Sequence, residues 1–354
     1  MNPISQKIEK LIESVVVANG SDLHLSVDRV PSMRVATQLV GMVNESPLTE
    51  PEILEMVRLM LKDDSKFQEF LSNQEIDFAY DYKKDIRLRG NAFLQKGKVS
   101  VALRVIPQVK SLKELNLPDI LKDFARLKQG FFLIVGPVGQ GKSTTMSALI
   151  DIINTERAEH IITIEEPIEY IFQSKKSIID QREVGIDTKD FSSALKSAFR
   201  QDANVIMVGE MRSPETISAA VTAAETGHLV ISTLHTNNAS QTIDRIIDSF
   251  PAEQQDQARS QLANSLVGIF SQRLIPRVNG GLIPAYELLV NNKAVANLIR
   301  ENRTHEIDLV IETGSEQGMI DMNHSLVDLV RKGEITIDDA KFYSFNKKNL
   351  ENLL

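Results

Sequence analysis

The chain has no cysteine among its 354 residues. Disulfide frameworks and thiolate metal sites are therefore excluded, and a reducing compartment, the cytoplasm, is the expected setting. It also has no run close to the ~20 apolar residues that a membrane-crossing helix needs. The opening stretch MNPISQKIEKLIESVVVANG alternates charged and apolar residues where a signal peptide would carry an apolar core. Any membrane contact is expected to go through a partner. An excess of basic charge is missing as well: 40 Lys and Arg against 48 Asp and Glu leave a formal net charge of -8. That balance favours solubility and argues against a nucleic-acid partner, since a phosphate track needs concentrated Lys and Arg. There is no internal repeat and no low-complexity tract.

What is present divides the chain in two, as its length invites. Residues 5–18 place Ile8, Leu11, Ile12 and Val15 at helical spacing, with Gly20 able to end the turn. The segments DLHLSV, PSMRVATQLVGMV, IDFAYDY, IRLRGNAFLQ and KVSVALRVI are short, β-rich and separated by Gly, Pro or charged turns, which predicts a largely antiparallel sheet. Between them TEPEILEMVRLMLKDDSKFQEFLSN reads as one helix packed on that sheet. Thr49 can cap it, Pro51 sits in its first turn, and Ile53, Val57 and Leu61 form its stripe. Farther on, FFLIVG, IITIEE, VIMVGE and LVISTLH are apolar runs alternating with helical stretches, the pattern of a parallel sheet covered on both faces. The expected organisation is an N-terminal α+β domain over 1–107, a linker over 108–124 and an α/β domain over 125–354. From about 254 onward the chain reads as helices with one Gly-containing turn at RVNGGLIPAYELL.

GPVGQGKST matches G-x-x-x-x-G-K-[ST] directly after a predicted strand and directly before a predicted helix, the context that a phosphate-binding P-loop requires. The candidate nucleotide-binding residues are Gly136, Pro137, Val138, Gly139, Gln140, Gly141, Lys142, Ser143 and Thr144. Glycines let backbone N–H groups curl around phosphate oxygens, Lys142 can reach the β- and γ-phosphates, and Ser143 can ligate Mg²⁺. NVIMVGEMR is an apolar strand ending in Glu210, placed to hold Mg²⁺, partly through water. HIITIEEPIEY follows a strand with Glu165, Glu166 and Glu169. Alone, three such acids would form a solvated turn, because adjacent carboxylates raise one another's pKa unless a cation compensates. Beside Mg²⁺ and Lys142 the cluster becomes easier to hold.

With these residues in view the chain resembles the type IV pilus retraction (twitching motility) ATPases of the secretion and pilus P-loop ATPase superfamily. The resemblance runs along nearly the whole chain, through SDLHLSV, GPVGQGKSTT, ITIEEPIEY, QREVGIDTKDF, VGEMRSPETI, AAETGHLVISTLHTNNA and SQRLIP followed by LIREN. It implies a homohexamer whose subunits join a PAS-like N-terminal domain to a RecA-like P-loop ATPase domain with a helical C-terminal part. It implies ATP hydrolysis to ADP and phosphate, an inner-membrane pilus platform protein and paralogous pilus ATPases as partners, and a place in the cytoplasm, peripheral to the inner membrane through the pilus machine. Assembly and type II secretion ATPases are related, but usually carry longer N-terminal extensions and a four-cysteine zinc site. A low-turnover accessory ring protein is the alternative from another functional class.

The resemblance also assigns roles. Glu165 matches the water-activating glutamate, and Glu166 stands where the family commonly has Asp. His235 matches the box that senses the γ-phosphate. Arg89 and Arg104 match N-terminal arginines that approach the nucleotide between domains; Arg200 and Arg212 are secondary candidates that a structural role fits better. AVANLIREN is similar to the segment A-I-R-N-L-I-R-E of the retraction ATPases, with Ala296 in place of its first arginine.

Overall fold

The computed structural model describes residues 2–35, 38–83 and 86–354. Ala36 and Thr37 of the expected strand segment PSMRVATQLVGMV, and Met1, lie outside the described residues. Two compact units divide the chain, Met1–Gln108 and Val109–Leu354.

In the first unit, helix α1 (Pro3–Val17) begins where the Asn2 side chain accepts a hydrogen bond from the Ile4 N–H, and it buries Ile8, Leu11, Ile12 and Val15, the predicted stripe. Strands β1 (Asp22–Ser26), β2 (Ser32–Val35) and β3 (Gln38–Gly41) follow, then α2 (Glu50–Leu61) and α3 (Asp64–Asn73), then β4 (Glu75–Lys83), β5 (Ile86–Gln95) and β6 (Lys98–Val105). The single helix expected over 49–73 is two. Lys62 takes a left-handed conformation at φ 56°, and the Asp63 carboxylate accepts from the Ser65 N–H to start α3. The antiparallel strands run in the order β3-β2-β1-β6-β5-β4. Leu23, Leu25, Leu88, Val101 and Leu103 join the buried stripes of α1 and α2 in one core. The opposite pleat carries polar residues: Asp22 pairs with Arg34 on β2 and with Arg104 on β6, and Arg104 pairs with Arg89 on β5.

The second unit opens on Leu112, Leu117 and α4 (Leu121–Ala125), so the stretch expected as a linker contributes Leu112, Leu117, Leu121 and Phe124 to its core. Next come β7 (Gly130–Val135), α5 (Lys142–Glu156), β8 (His160–Glu165), β9 (Ile178–Glu183), α6 (Phe191–Ala198), β10 (Val205–Val208), α7 (Pro214–Glu225), β11 (Leu229–Leu234), α8 (Ala239–Ile247) and α9 (Gln255–Ser265). Strands β12 (Leu266–Pro276) and β13 (Leu282–Val290) precede the short helices α10 (Lys293–Arg300), α11 (Ile307–Thr313), α12 (Met322–Arg331), α13 (Ile337–Tyr343) and α14 (Lys347–Leu353). The sheet order is β13-β12-β7-β11-β10-β8-β9, parallel except for the edge strand β13. Alternate residues divide between its two faces. Phe131, Leu133, Ile162, Ile206 and Val230 meet helices α6 to α11 on one side, while Phe132, Ile134, Ile161, Val205 and Ile231 meet α4 and α5 on the other.

Residues 266–290 correct the expectation of helices after 254. They form a hairpin whose first strand is buried on both pleats, so its residues show no alternation. Ser271, Gln272 and Arg273 interrupt its apolar run and are nevertheless buried. At Gly268 the β12–β7 register shifts, and an added Cβ would lie 2.6 Å from Phe124 Cε1 and 2.9 Å from the Leu289 carbonyl oxygen. Gly268→Ala is therefore expected to destabilise this unit by about 1–3 kcal/mol through overpacking. Chemical denaturation checks this, and an unchanged midpoint would show that the hairpin yields without cost.

Candidate functional site

Strands β7, β11, β10 and β8 lie side by side and parallel, so their carboxyl ends share one edge of the sheet, the place where open α/β sheets bind ligands. Just past those ends come the glycine-rich loop, His235 and Glu210, and Glu165 is the last residue of β8. They border a cavity of about 490 Å³ that is also lined by Glu166, Glu169 and Tyr170.

The loop owes its shape to Gly136, Gly139 and Gly141, at φ +145°, +77° and +78°. Val138, Gly139, Gln140, Gly141, Lys142, Ser143 and Thr144 line the cavity. Gly136 and Pro137 turn their carbonyls to the Lys142 ammonium, which donates to both at 2.8 Å. Burial pushes Lys142 down to about 8. The same ammonium meets His235 Nδ1 at 3.1 Å, and His235 Nε2 meets Glu210 Oε1 at 3.0 Å. With the ammonium donating to Nδ1, the imidazole proton sits on Nε2 and is donated to Glu210. A hydrogen bond from Arg212, at 2.8 Å, holds the Glu210 carboxyl below its ordinary range, and Arg212 also stands 3.7 Å from Glu166. The structure thus brings Lys142, His235 and Glu210 into one chain and adds Arg212, a secondary candidate from the sequence.

Glu165 closes β8 with its side chain 6% exposed. Thr163 Oγ1 donates to its Oε1 at 2.7 Å, yet burial outweighs its hydrogen bonds and pushes the carboxyl up to about 7. The three acids of the box all border the cavity but differ in exposure: Glu165 is buried, whereas Glu166, 3.7 Å from Arg212, and Glu169 are exposed. Their following loop is pinned by Tyr170, whose hydroxyl lies 2.8 Å from Thr144 Oγ1, and by the Ile168 N–H, which donates to Glu183 at 3.1 Å. Strand β9, which carries Glu183, was not read as a strand because IIDQRE is polar and lies at the sheet edge.

The β12–β13 hairpin shapes the phosphate loop. Gln272 accepts from Thr145 Oγ1 at 2.6 Å and donates to the Gln140 carbonyl at 2.7 Å, while the Leu274 N–H donates to Gln140 Oε1 at 2.6 Å. Arg273 donates to Asn237, two residues past His235, at 2.7 Å. The sequence signal was available in SQRLIP, where polar residues interrupt an otherwise apolar run. Ser143 and Glu210 offer the cavity hard oxygen donors of the kind Mg²⁺ takes. Among the described residues no group of three or more His, Asp or Glu side chains could hold a metal ion unaided.

Arg89 and Arg104 belong to the first unit, where they face each other across β5 and β6. Two cations so placed repel. Asp22 relieves them by accepting from Arg104 Nε at 2.9 Å. Burial alone would raise Asp22, but hydrogen bonds from Ser21 and Arg104 keep it below its ordinary value. In α10, Ala296 is buried beside Val295 and Ile299, so the position that carries arginine in the family pattern lies within a packed face. Among the described residues no helix is long and apolar enough to cross a membrane.

The model of the family described as type II/IV secretion system protein matches residues 1–306. The chain belongs to this family. Its members' likeness extends beyond the matched span. The type IV pilus retraction ATPase PilT of Pseudomonas aeruginosa is 41% identical over 337 residues, covering 94% of this chain and 97% of that protein. The twitching motility protein of Neisseria gonorrhoeae is 44% identical over 310 residues, covering 87% and 83%. A crystal structure of the pilus retraction motor PilT with bound ADP superposes with a TM-score of 0.90 at 42% identity, over 98% of this chain and 99% of that one. This ATPase of the family therefore has the expected α/β architecture, an N-terminal domain followed by a nucleotide-binding ATPase domain.

In this family member, an added Cβ at Gly136 would lie 2.4 Å from the Gln272 carbonyl oxygen, at a φ that L residues rarely adopt. Gly136→Ala is expected to weaken nucleotide binding by roughly 10–100-fold, the equivalent of about 1–3 kcal/mol of loop strain. Titration with a fluorescent ATP analogue measures it, and wild-type affinity would mean that the loop's backbone path does not govern binding.

Proposed function

We propose that the chain is a ring-forming motor that hydrolyses ATP to ADP and phosphate to drive type IV pilus retraction and twitching motility. The observation that carries the chemistry is a buried carboxylate, Glu165, bordering the same cavity as the phosphate loop. What supports the retraction assignment is near-complete mutual coverage with a retraction ATPase and a retraction motor.

In this reading, backbone N–H groups of Val138 through Thr144, at the start of α5, take the phosphates, and Lys142 exchanges its carbonyl partners for β- and γ-phosphate oxygens. Ser143 and, through water, Glu210 would hold Mg²⁺, which supplies charge neutralisation at the phosphate oxygens. Glu165 orients a water and accepts its proton as the water oxygen bonds to the γ-phosphorus. The bond from that phosphorus to the bridging oxygen breaks, and its electron pair leaves with ADP. His235, between Lys142 and Glu210, registers loss of the γ-phosphate. Arg89 and Arg104 are the arginines proposed to stabilise the transferring phosphoryl group through a guanidinium. Six copies form the ring, which acts in the cytoplasm on an inner-membrane platform protein alongside paralogous pilus ATPases.

Glu165→Gln is expected to keep nucleotide affinity near wild type while lowering kcat by roughly 10²–10⁴-fold, and Lys142→Ala to lose both. Near-normal turnover in Glu165→Gln would remove the assignment. Because the active form is the carboxylate and its pKa is raised to about 7, kcat/KM should fall as pH drops through that value. A profile flat down to pH ~5 would assign the proton to another group. In cells, loss of the gene should leave hyperpiliated cells that do not twitch, whereas bald cells would indicate an assembly motor.

A further inference from the structure

Gln181 stands on β9 directly across from Thr163 on the parallel neighbour β8, with Glu165 two residues farther along the same pleat. Its side-chain amide makes three hydrogen bonds. Nε2 donates to Glu165 Oε1 at 3.1 Å and to the Tyr170 carbonyl at 2.8 Å, and Oε1 accepts from the Phe172 N–H at 2.9 Å. These partners fix the orientation of the amide. Turned over, it would set its oxygen against a carboxylate and a carbonyl and its NH₂ against an N–H. One residue thus grips the buried carboxylate and both sides of the Tyr170–Phe172 corner. That corner is tied through the Tyr170 hydroxyl to Thr144 in the first turn of α5.

Thr163 and Gln181 both donate to Oε1, and the Glu169 backbone N–H adds a further bond to the carboxylate. Thr163 belongs to the same strand as Glu165 and moves with it. Gln181 comes from another strand and is the side chain that references the carboxylate to the loop bordering the phosphate site. Glu183, two residues on, accepts from the Ile168 N–H and holds the other end of that loop. The strand edge therefore serves the site through two residues of one pleat.

We infer that Gln181 is a positioning residue for ATP hydrolysis, holding the Glu165 carboxylate and the 166–172 loop in register with the phosphate loop. The inference rests on the reading of Glu165 as the base. A packing role for Gln181 would couple any loss of turnover to losses of stability and nucleotide affinity. A positioning role affects the reacting geometry alone, where displacement of about 1 Å costs on the order of 10²-fold.

The test is steady-state ATPase kinetics on the full chain, with fluorescent-nucleotide affinity and melting temperature measured on the same preparations. Gln181→Met keeps the length and unbranched shape of the side chain and removes the amide. It is expected to lower kcat by roughly 10–100-fold, with KM, nucleotide affinity and melting temperature near wild type. Should that variant not fold, Gln181→Asn keeps an amide one methylene short, and the same split between kcat and binding is expected. Unchanged kcat in either folded variant overturns the inference, as does a parallel loss of kcat, affinity and melting temperature. Glu165→Gln measured beside them separates the two readings. Turnover lost there but intact in Gln181→Met removes Gln181 alone, while turnover retained in Glu165→Gln removes the base and this inference with it.

Discussion

Glu165 carries a carboxylate at the end of a strand buried on both faces, where desolvation opposes the charge that its proposed role requires. Hydrogen bonds from Thr163, from Gln181 and from the Glu169 backbone offset part of that cost. Each comes from a different piece of local structure: the strand itself, its edge neighbour β9, and the loop behind Pro167. Of the neighbouring acids, Glu166 stands exposed by the Arg212 guanidinium, while Glu165 is buried and still feels the Glu169 charge. A carboxyl titrating near neutrality at this place suits a group that must accept a proton and release it again.

The cationic side of the cavity is built with the same economy. Lys142 is buried and donates to its own loop's carbonyls and to His235. His235 passes the contact to Glu210, whose charge is stabilised by Arg212. The β12–β13 hairpin supports both arms, through Gln272 at the phosphate loop and through Arg273 at the turn after His235. The hairpin thus holds the phosphate loop and the turn after His235 from one side, and α12 and α13 pack on it in turn.

Much of this was legible where the information is contiguous. The stripe Ile8, Leu11, Ile12 and Val15 reads directly as a buried helix face, and the apolar runs before Gly136, Glu166, Gly209 and His235 read as parallel strands because both their pleats are covered. The phosphate loop is a single local motif. What escaped reading depends on partners distant in sequence. Ser271, Gln272 and Arg273 break an apolar run, and their bonds to Glu287, to Thr145 and Gln140, and to Asn237 make their burial tolerable. IIDQRE has no period of its own to announce a strand, and its polar residues earn their place through the loop after Glu165. The break at Lys62 turns on a capping competition by Asp63 within an otherwise good helical pattern.

The most direct measurement is a high-resolution structure of the chain with Mg²⁺ and a non-hydrolysable ATP analogue. The account predicts Lys142 withdrawn from His235 onto phosphate oxygens, and a water in line with the γ-phosphorus within ~3 Å of the Glu165 carboxylate. A water held instead by Glu166 or Glu169, with Glu165 still engaged only by its protein partners, would contradict it.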